Sequence, residues 1–233
     1  MLMDNKLNSR RFIHAFVAIE QVLKKQLNNP PFGFSQMVQV LSTKNAIVKH
    51  HSFDLLEYAQ LRNAIVHNRS GENYAIAEPH SEVVENIEKI LKELTQPATL
   101  ADVTLSKVYT SHPDMKAIDL AKIQEKHNYS MVPIYDKGRY IGIVYSKLYQ
   151  KAFAMGNFDL TVKELLAYQD KKNRVLFVSL QSPLREIVET YFDLYEKGRG
   201  IVGVIVTKNG FMNQKALAVL TPADLPKIFE LLE

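Results

Sequence analysis

Along residues 11–27, Phe12, Phe16, Ile19, Leu23 and Leu27 recur at i, i+3 and i+4, the stripe of a helix with one buried face. Residues 34–41 form a shorter amphipathic piece. Residues 53–66 place Leu55, Leu56, Tyr58, Leu61 and Ile65 at helical spacing, and residues 81–94 set Val83, Val84, Ile87, Ile90 and Leu91 against a face of acids and lysines. Punctuation agrees with the periodicity. Ser52 or Asp54 is suited to cap the third helix, and Asn68-Arg69-Ser70-Gly71 is suited to stop it. Glu82 and Glu85 sit in the first turn of the fourth, where the helix dipole favours acids. The pattern predicts a four-helix, mostly antiparallel domain over residues 1–95.

Thr95-Gln96-Pro97-Ala98-Thr99 interrupts this grammar and reads as a linker. Beyond it, strand and helix patterns alternate. Residues 107–110 read as a short strand and 115–126 as a helix. Strands over 131–135 and 139–144 flank Asp136-Lys137-Gly138, a hairpin turn, and another helix follows. The order then recurs: a strand over 175–178, a helix from Pro183 to about Tyr195 with Pro183 in its first turn, a strand over 201–207, a turn at Lys208-Asn209-Gly210, a strand over 216–220 and a helix from Pro222. Met115 aligns with Leu184 at an offset of 69 residues, and Val132-Pro133 with Val202-Gly203 at 70. This is an internal duplication of a β-α-β-β-α unit, expected to pack as two copies around a pseudo-twofold axis, over 100–165 and 166–233.

Composition narrows the setting. Apolar residues make up 46% and charged residues 23% of 233, the balance of an ordinary globular chain. No window approaches the roughly 18 uninterrupted apolar residues of a spanning helix, and the first residues carry no secretory h-region. Cysteine is absent, which removes disulfides and thiolate metal sites and fits a reducing cytoplasm. The net charge of +4 comes from scattered basic residues; it permits an anionic partner without demanding one.

Two stretches carry candidate chemistry. Thr221-Pro222-Ala223-Asp224 opens the last helix. A carboxylate there can accept two hydrogen bonds from a ribose diol, and a hydroxyl with free N–H groups at a helix start can hold phosphate. The same spacing also makes a capping box with no ligand at all. The repeat order, with SMVPIYDKGRYIGIVYSKL in the first copy and GIVGVIVTKNG followed by LAVLTPADL in the second, resembles a tandem pair of cystathionine-beta-synthase (CBS) domains over about 100–233. That resemblance implies a sensor of an adenosyl ligand: AMP, ADP or ATP, with S-adenosylmethionine, NAD or a cyclic dinucleotide as further members of the class. It implies a homodimer, and a site in the second copy held by Thr221 and Asp224 with Val178, Ile201, Val202 and Gly203 as its walls. Gly203 would let backbone come close, and Lys171, Lys172 or Arg174 would either meet phosphate or remain solvated. The first copy departs from the family pattern: Tyr145 stands where Thr is expected and Leu148 where Asp is expected, so it is not a standard nucleotide site.

The second stretch is LRNAIVHNRS, residues 61–70. On an ideal helix Arg62 and His67 lie about 140° apart, whereas Asn63 and His67 share a face. An arginine in mid-helix is ordinarily solvated, and a histidine near a helix C-terminus is favourable for dipole reasons alone. The helix order and the Arg-polar-x-x-x-His spacing resemble a HEPN (higher eukaryotes and prokaryotes nucleotide-binding) domain over about residues 8–95. The resemblance implies either a catalytically silent dimerisation or nucleotide-binding module or a metal-independent endoribonuclease whose site forms where two copies pair. In that second case His67 is general acid or base at a ribose 2′-OH, Arg62 neutralises the phosphorane-like transition state, Asn63 orients His67 or the phosphate, and Arg69 adds a phosphate contact. Lys49-His50-His51 lacks a third metal ligand and reads as a polar loop. The sequence thus predicts an α+β chain: a four-helix HEPN-like bundle, then a CBS pair that binds an adenine nucleotide and controls it, with RNA as a further partner and no metal or membrane.

Overall fold

The computed structural model of the chain describes residues 5–67, 78–170 and 174–232, without the side chains of 5–7, 67 and 174. The chain divides into two compact units, Met1–Ala98 and Thr99–Glu233.

The first unit is helical: α1 Asn5–Gln26, α2 Phe34–Ser42, α3 Ala46–His50, α4 Ser52–His67 and α5 Ser81–Thr95. The stripes seen in the sequence are its core. Phe12, Phe16, Ile19 and Leu23 of α1 close on Leu55, Tyr58 and Ile65 of α4 and on Val84, Ile87, Ile90 and Leu94 of α5. The Arg11 guanidinium grips Glu88 with both ends, Nε to Oε1 at 3.0 Å and Nη2 to Oε2 at 2.6 Å, tying α1 to α5. That contact holds the Glu88 carboxyl below its usual range.

The unit has one helix more than the sequence pattern predicts. Asn45 caps α3, its Oδ1 accepting from the N–H groups of Ile47 at 2.9 Å and Val48 at 3.1 Å, and both of those side chains are buried. Lys49-His50-His51 is therefore not a polar loop. His51 is buried, with Nε2 2.6 Å from Glu93 Oε2 on α5. Neither expected cap serves α4. Ser52 Oγ donates backwards to the Lys49 carbonyl, and Asp54 Oδ2 accepts from Asn86 across the bundle. The expected stop at Asn68-Arg69-Ser70-Gly71 lies outside the described residues.

In the second unit, α6 Ala117–His127, β1 Met131–Asp136, β2 Arg139–Tyr145 and α7 Ser146–Ala154 make the first repeat. The hairpin turn has Lys137 at φ 47° and Gly138 at φ 80°, the left-handed pair that a tight turn between twisted strands requires. After the short helix α8 Val162–Leu166 come β3 Arg174–Ser179, α9 Leu184–Glu196, β4 Ile201–Thr207, β5 Ala218–Leu220, a 3₁₀ turn Pro222–Asp224 and α10 Leu225–Glu230. β3 runs parallel to β4, and β4 antiparallel to β5. Pro183 is the N-cap of α9 rather than a first-turn residue. The strand expected over 107–110 does not form. One parallel bridge at Ser111 to Ile134 takes its place, with Ser111 N–H donating to Pro133 O and Ser111 O accepting from Tyr135 N–H.

Each repeat is closed by a segment that precedes a short helical turn and bridges the start of the repeat's first helix. Thr99, before the first repeat, bridges Pro183, and Leu100 and Ala101 donate to Ser182 and Leu180. Thr161, near the end of the first repeat, bridges Lys116, and Val162 and Lys163 donate to Met115 and Pro113. Both closing segments carry a capping box, Thr99 with Asp102 and Thr161 with Glu164. Between the repeats lies a joint core of Ile143, Ile205 and Ala216, bordered by Met131, Tyr140 and Phe177, with Tyr140 edge-on to Phe177 at 5.0 Å.

Candidate functional site

Strand register decides which predicted site residues meet. β5 pairs with β4 so that Leu220 faces Val204, which sets Thr221 next to Gly203 at the end of the sheet. β3 pairs with β4 through Arg174 to Ile201 and Val175 to Gly203, leaving Val202 as the extra residue of a bulge. Ile201, Val202, Gly203, Thr221 and Asp224 therefore gather at one end. Val178 does not join them. It pairs with Val206 three positions along the strand, beside Gly210 of the β4–β5 turn. Val175 holds the place that the sequence pattern gave to Val178. Lys171 and Lys172 lie outside the described residues, as does the Arg174 side chain.

Thr221 and Asp224 form a complete capping box. Asp224 Oδ2 accepts from the Thr221 N–H at 2.9 Å and from its hydroxyl at 3.1 Å, while Thr221 Oγ1 accepts from Ala223 N–H at 3.2 Å. The single hydroxyl proton of Thr221 is thus spent on Asp224, and Thr221 has no donor left for a phosphate. Asp224 keeps its other oxygen. Oδ1 faces Lys227 Nζ at 3.7 Å, and the side chain is 28% exposed.

Two neighbours of Asp224 escaped sequence reasoning. Lys227 follows by one helical turn, a spacing that could have been noticed. Tyr191 approaches from α9: burial pushes its hydroxyl up to about 12, and the Asp224 carboxylate adds to the rise. Only the fold brings Tyr191 to this place.

Gly203 has a reason of its own. A Cβ there would lie 2.5 Å from Met131 Sδ and 3.2 Å from the Leu220 carbonyl oxygen. The close approach it permits is between the two repeats, where the Met131 side chain fills the space. The first repeat offers no counterpart to Asp224. Leu148, at the matching position, is fully buried in the repeat's core with Val132 and Val144.

In the helical unit, Arg62 and Asn63 stand side by side on α4, Arg62 Nη1 donating to Asn63 Oδ1 at 3.3 Å. Both line a groove of about 460 Å³ with Phe16, Glu20, Phe34 and Gln36. His67 is the last residue of α4 and its side chain lies outside the described atoms; Arg69 lies outside the described residues. Among the described residues no group of three metal-ligating side chains occurs, and no helix is long and apolar enough to cross a membrane.

Residues 100–147 match the family model described as CBS domain. The match falls on the first repeat, whereas the Thr-x-x-Asp pattern next to Gly203 belongs to the second. No curated protein matches the chain. Among solved structures, the CBS domain pair of protein MJ0100 in complex with 5′-methylthioadenosine and S-adenosyl-L-methionine is 24% identical, covering 59% of this chain and 99% of its own, with a TM-score of 0.46. CBSX2 in complex with AMP is 13% identical, covering 57% and 97%, with a TM-score of 0.41. The CBS-domain containing protein ATU1752 from Agrobacterium tumefaciens is 19% identical, covering 60% and 91%, with a TM-score of 0.41.

The packing role of Gly203 is testable without any ligand. Gly203→Ala should destabilise the chain by about 1–3 kcal/mol through overpacking against Met131. In a Met131→Ala background the same change should cost clearly less, because the clashing sulfur is gone. Denaturant unfolding of the four proteins measures the coupling, and equal costs in both backgrounds would contradict this reading.

Proposed function

We propose that the second unit senses an adenosyl ligand at the Thr221–Asp224 end of its three-stranded sheet and passes ligand state to the helical unit. The observation that carries this reading is the Asp224 carboxylate: one oxygen is pinned by Thr221, and the other is left beside Lys227 on a partly open surface. A carboxylate fixed in that way is oriented in advance for the two hydroxyls of a ribose, so little ordering is left to do on binding. Thr221 then acts through Asp224 and not on phosphate. Lys227 is the nearest cation for a phosphate or carboxylate of the ligand, and Ile201 and Val202 offer apolar contact for a base. The match of residues 100–147 to the CBS domain supports the class of ligand, and the buried Leu148 supports a single, asymmetric site.

This mechanism favours ligands with a free 2′,3′-diol, namely AMP, ADP, ATP and S-adenosylmethionine, over cyclic dinucleotides, whose 3′ oxygens are esterified. Coupling to the helical unit would be reciprocal, because a linked equilibrium changes both affinities by the same factor.

A second reading is favoured by the groove that Arg62 and Asn63 line: with His67 they cleave RNA without metal, under nucleotide control. Arg62 would meet the phosphate, and His67 would move the proton of the 2′-OH.

Calorimetric titration with ATP and with 2′-deoxy-ATP tests the first reading. Loss of one charge-assisted hydrogen bond should weaken the deoxy ligand roughly tenfold or more in the wild type. In Asp224→Asn the two ligands should bind with similar, weak affinity. An unchanged preference for ATP in the variant would remove Asp224 from the site. For the second reading, metal-free RNA cleavage should occur in the wild type, respond to ATP and vanish in His67→Ala; equal background signal from both proteins would end it.

A further inference from the structure

The turns that follow β1 and β4 emerge at the same end of the second unit. Met131, at the start of β1, lies against Gly203 of β4. Tyr135, near the end of β1, donates its hydroxyl to the Gln214 carbonyl in the β4–β5 connection at 3.0 Å. β1 and β4 thus run in the same direction, and the turns over 136–139 and 208–217 stand side by side.

The second turn is ordered by its own hydrogen bonds. Gln214 N–H donates to the Phe211 carbonyl at 3.2 Å, and Gln214 Oε1 accepts from Asn209 N–H at 2.8 Å. This fixed shape holds two adjacent apolar side chains in water: Phe211 is 61% and Met212 57% exposed. Such exposure runs against the ordinary preference for burial and marks a contact surface.

Cations surround the pair. Lys137 and Arg139 come from the first turn and Lys208 and Lys215 from the second, all four exposed. Among the described residues none of the four has an ion pair. Two acids lie near. Asp136 is exposed beside Lys137, and Asp102, brought to this end by the bond of Ala101 N–H to the Leu180 carbonyl, has its carboxylate held by Thr99. The cations remain in excess.

We infer that this end of the second unit docks on an anionic lipid surface, with Phe211 and Met212 entering the headgroup layer and the four cations meeting lipid phosphates and carboxylates. Shape and size select this occupant. A single ring offers one stacking platform, whereas a nucleic-acid strand needs several in succession along a groove. A folded partner needs roughly 800 Å² of matching surface on each side, far more than two side chains at a turn supply. A fluid bilayer needs only an apolar tip with cations around it, whose long stems lie along the interface. The sequence pointed to no membrane partner because the two turns are distant in the chain. The contact needs no adenosyl ligand and stands apart from that reading.

The chain has no tryptophan, so Phe211→Trp places a single reporter at the tip. With vesicles of phosphatidylcholine and phosphatidylserine its emission should shift to the blue and be quenched by brominated acyl chains; with phosphatidylcholine alone it should do neither. Phe53→Trp, on an exposed position of the helical unit, should stay unshifted with both. In co-sedimentation with the anionic vesicles, Lys208→Gln with Lys215→Gln should weaken binding on the order of twentyfold, at about fivefold per cation. Phe211→Ala with Met212→Ala should weaken it roughly tenfold or more, and added salt should weaken the wild type. No binding to anionic vesicles, an equal shift at Phe53→Trp, or binding that the Phe211 and Met212 substitutions leave intact would overturn the proposal. So would Phe211-dependent binding of oligouridine or polyglutamate in place of vesicles.

Discussion

The second unit depends on a closing segment that the start of the first repeat supplies to the second. The turn at Thr99 belongs in sequence to the first repeat but bridges Pro183, at the start of the second repeat's helix. The matching segment at Thr161 ends the first repeat and bridges Lys116, at the start of that repeat's own helix. Each repeat has only two or three strands, too few to cover both faces alone. The bridge from Thr99 to Pro183 and the joint core of Ile143, Ile205 and Ala216 supply the missing cover, so the two repeats stand or fall together. A cut between residues 165 and 166 would separate the second repeat from its closure at Thr99 and leave the first repeat with its own at Thr161.

That interdependence accounts for the asymmetry of the proposed site. With both repeats locked into one core, the position matching Asp224 is free to be Leu148 and to serve packing alone. The proposed site would draw on both halves: Met131 of the first repeat occupies the space over Gly203, which lies next to Thr221. A change in how the repeats press on each other therefore reaches the end of the sheet where Asp224 sits. Sensing needs such a link, since a ligand moves an equilibrium only through contacts that differ between two states.

Much of the architecture was legible because strong periodicity leaves few alternatives. The stripes of α1 and α5 and the hairpin at Lys137-Gly138 each follow from local residue patterns. The repeat offset also anticipated the helix-strand-strand-helix order shared by both copies, though not the absence of the first copy's opening strand. Helix α3 was missed because five residues are too short to show a period; its one signal was Asn45 ahead of buried Ile47 and Val48. The strand at 107–110 was read from alternation that no neighbouring strand is placed to use, beyond the bridge at Ser111. At the proposed site, the capping box of Thr221 and Asp224 was legible from its spacing. Which of Val175 and Val178 accompanies them was not, because the bulge at Val202 fixes the register between distant strands. Tyr191 and the pressure of Met131 on Gly203 are long-range facts of the same kind.

The most direct test of the central claim is amide hydrogen exchange with and without saturating ATP, and again with S-adenosylmethionine. The account predicts slowed exchange over residues 201–203 and 221–225, little change over 145–148, and a smaller change in the helices of the first unit as ligand state is passed on. Protection centred on 145–148, or none at 221–225 despite binding, would contradict it.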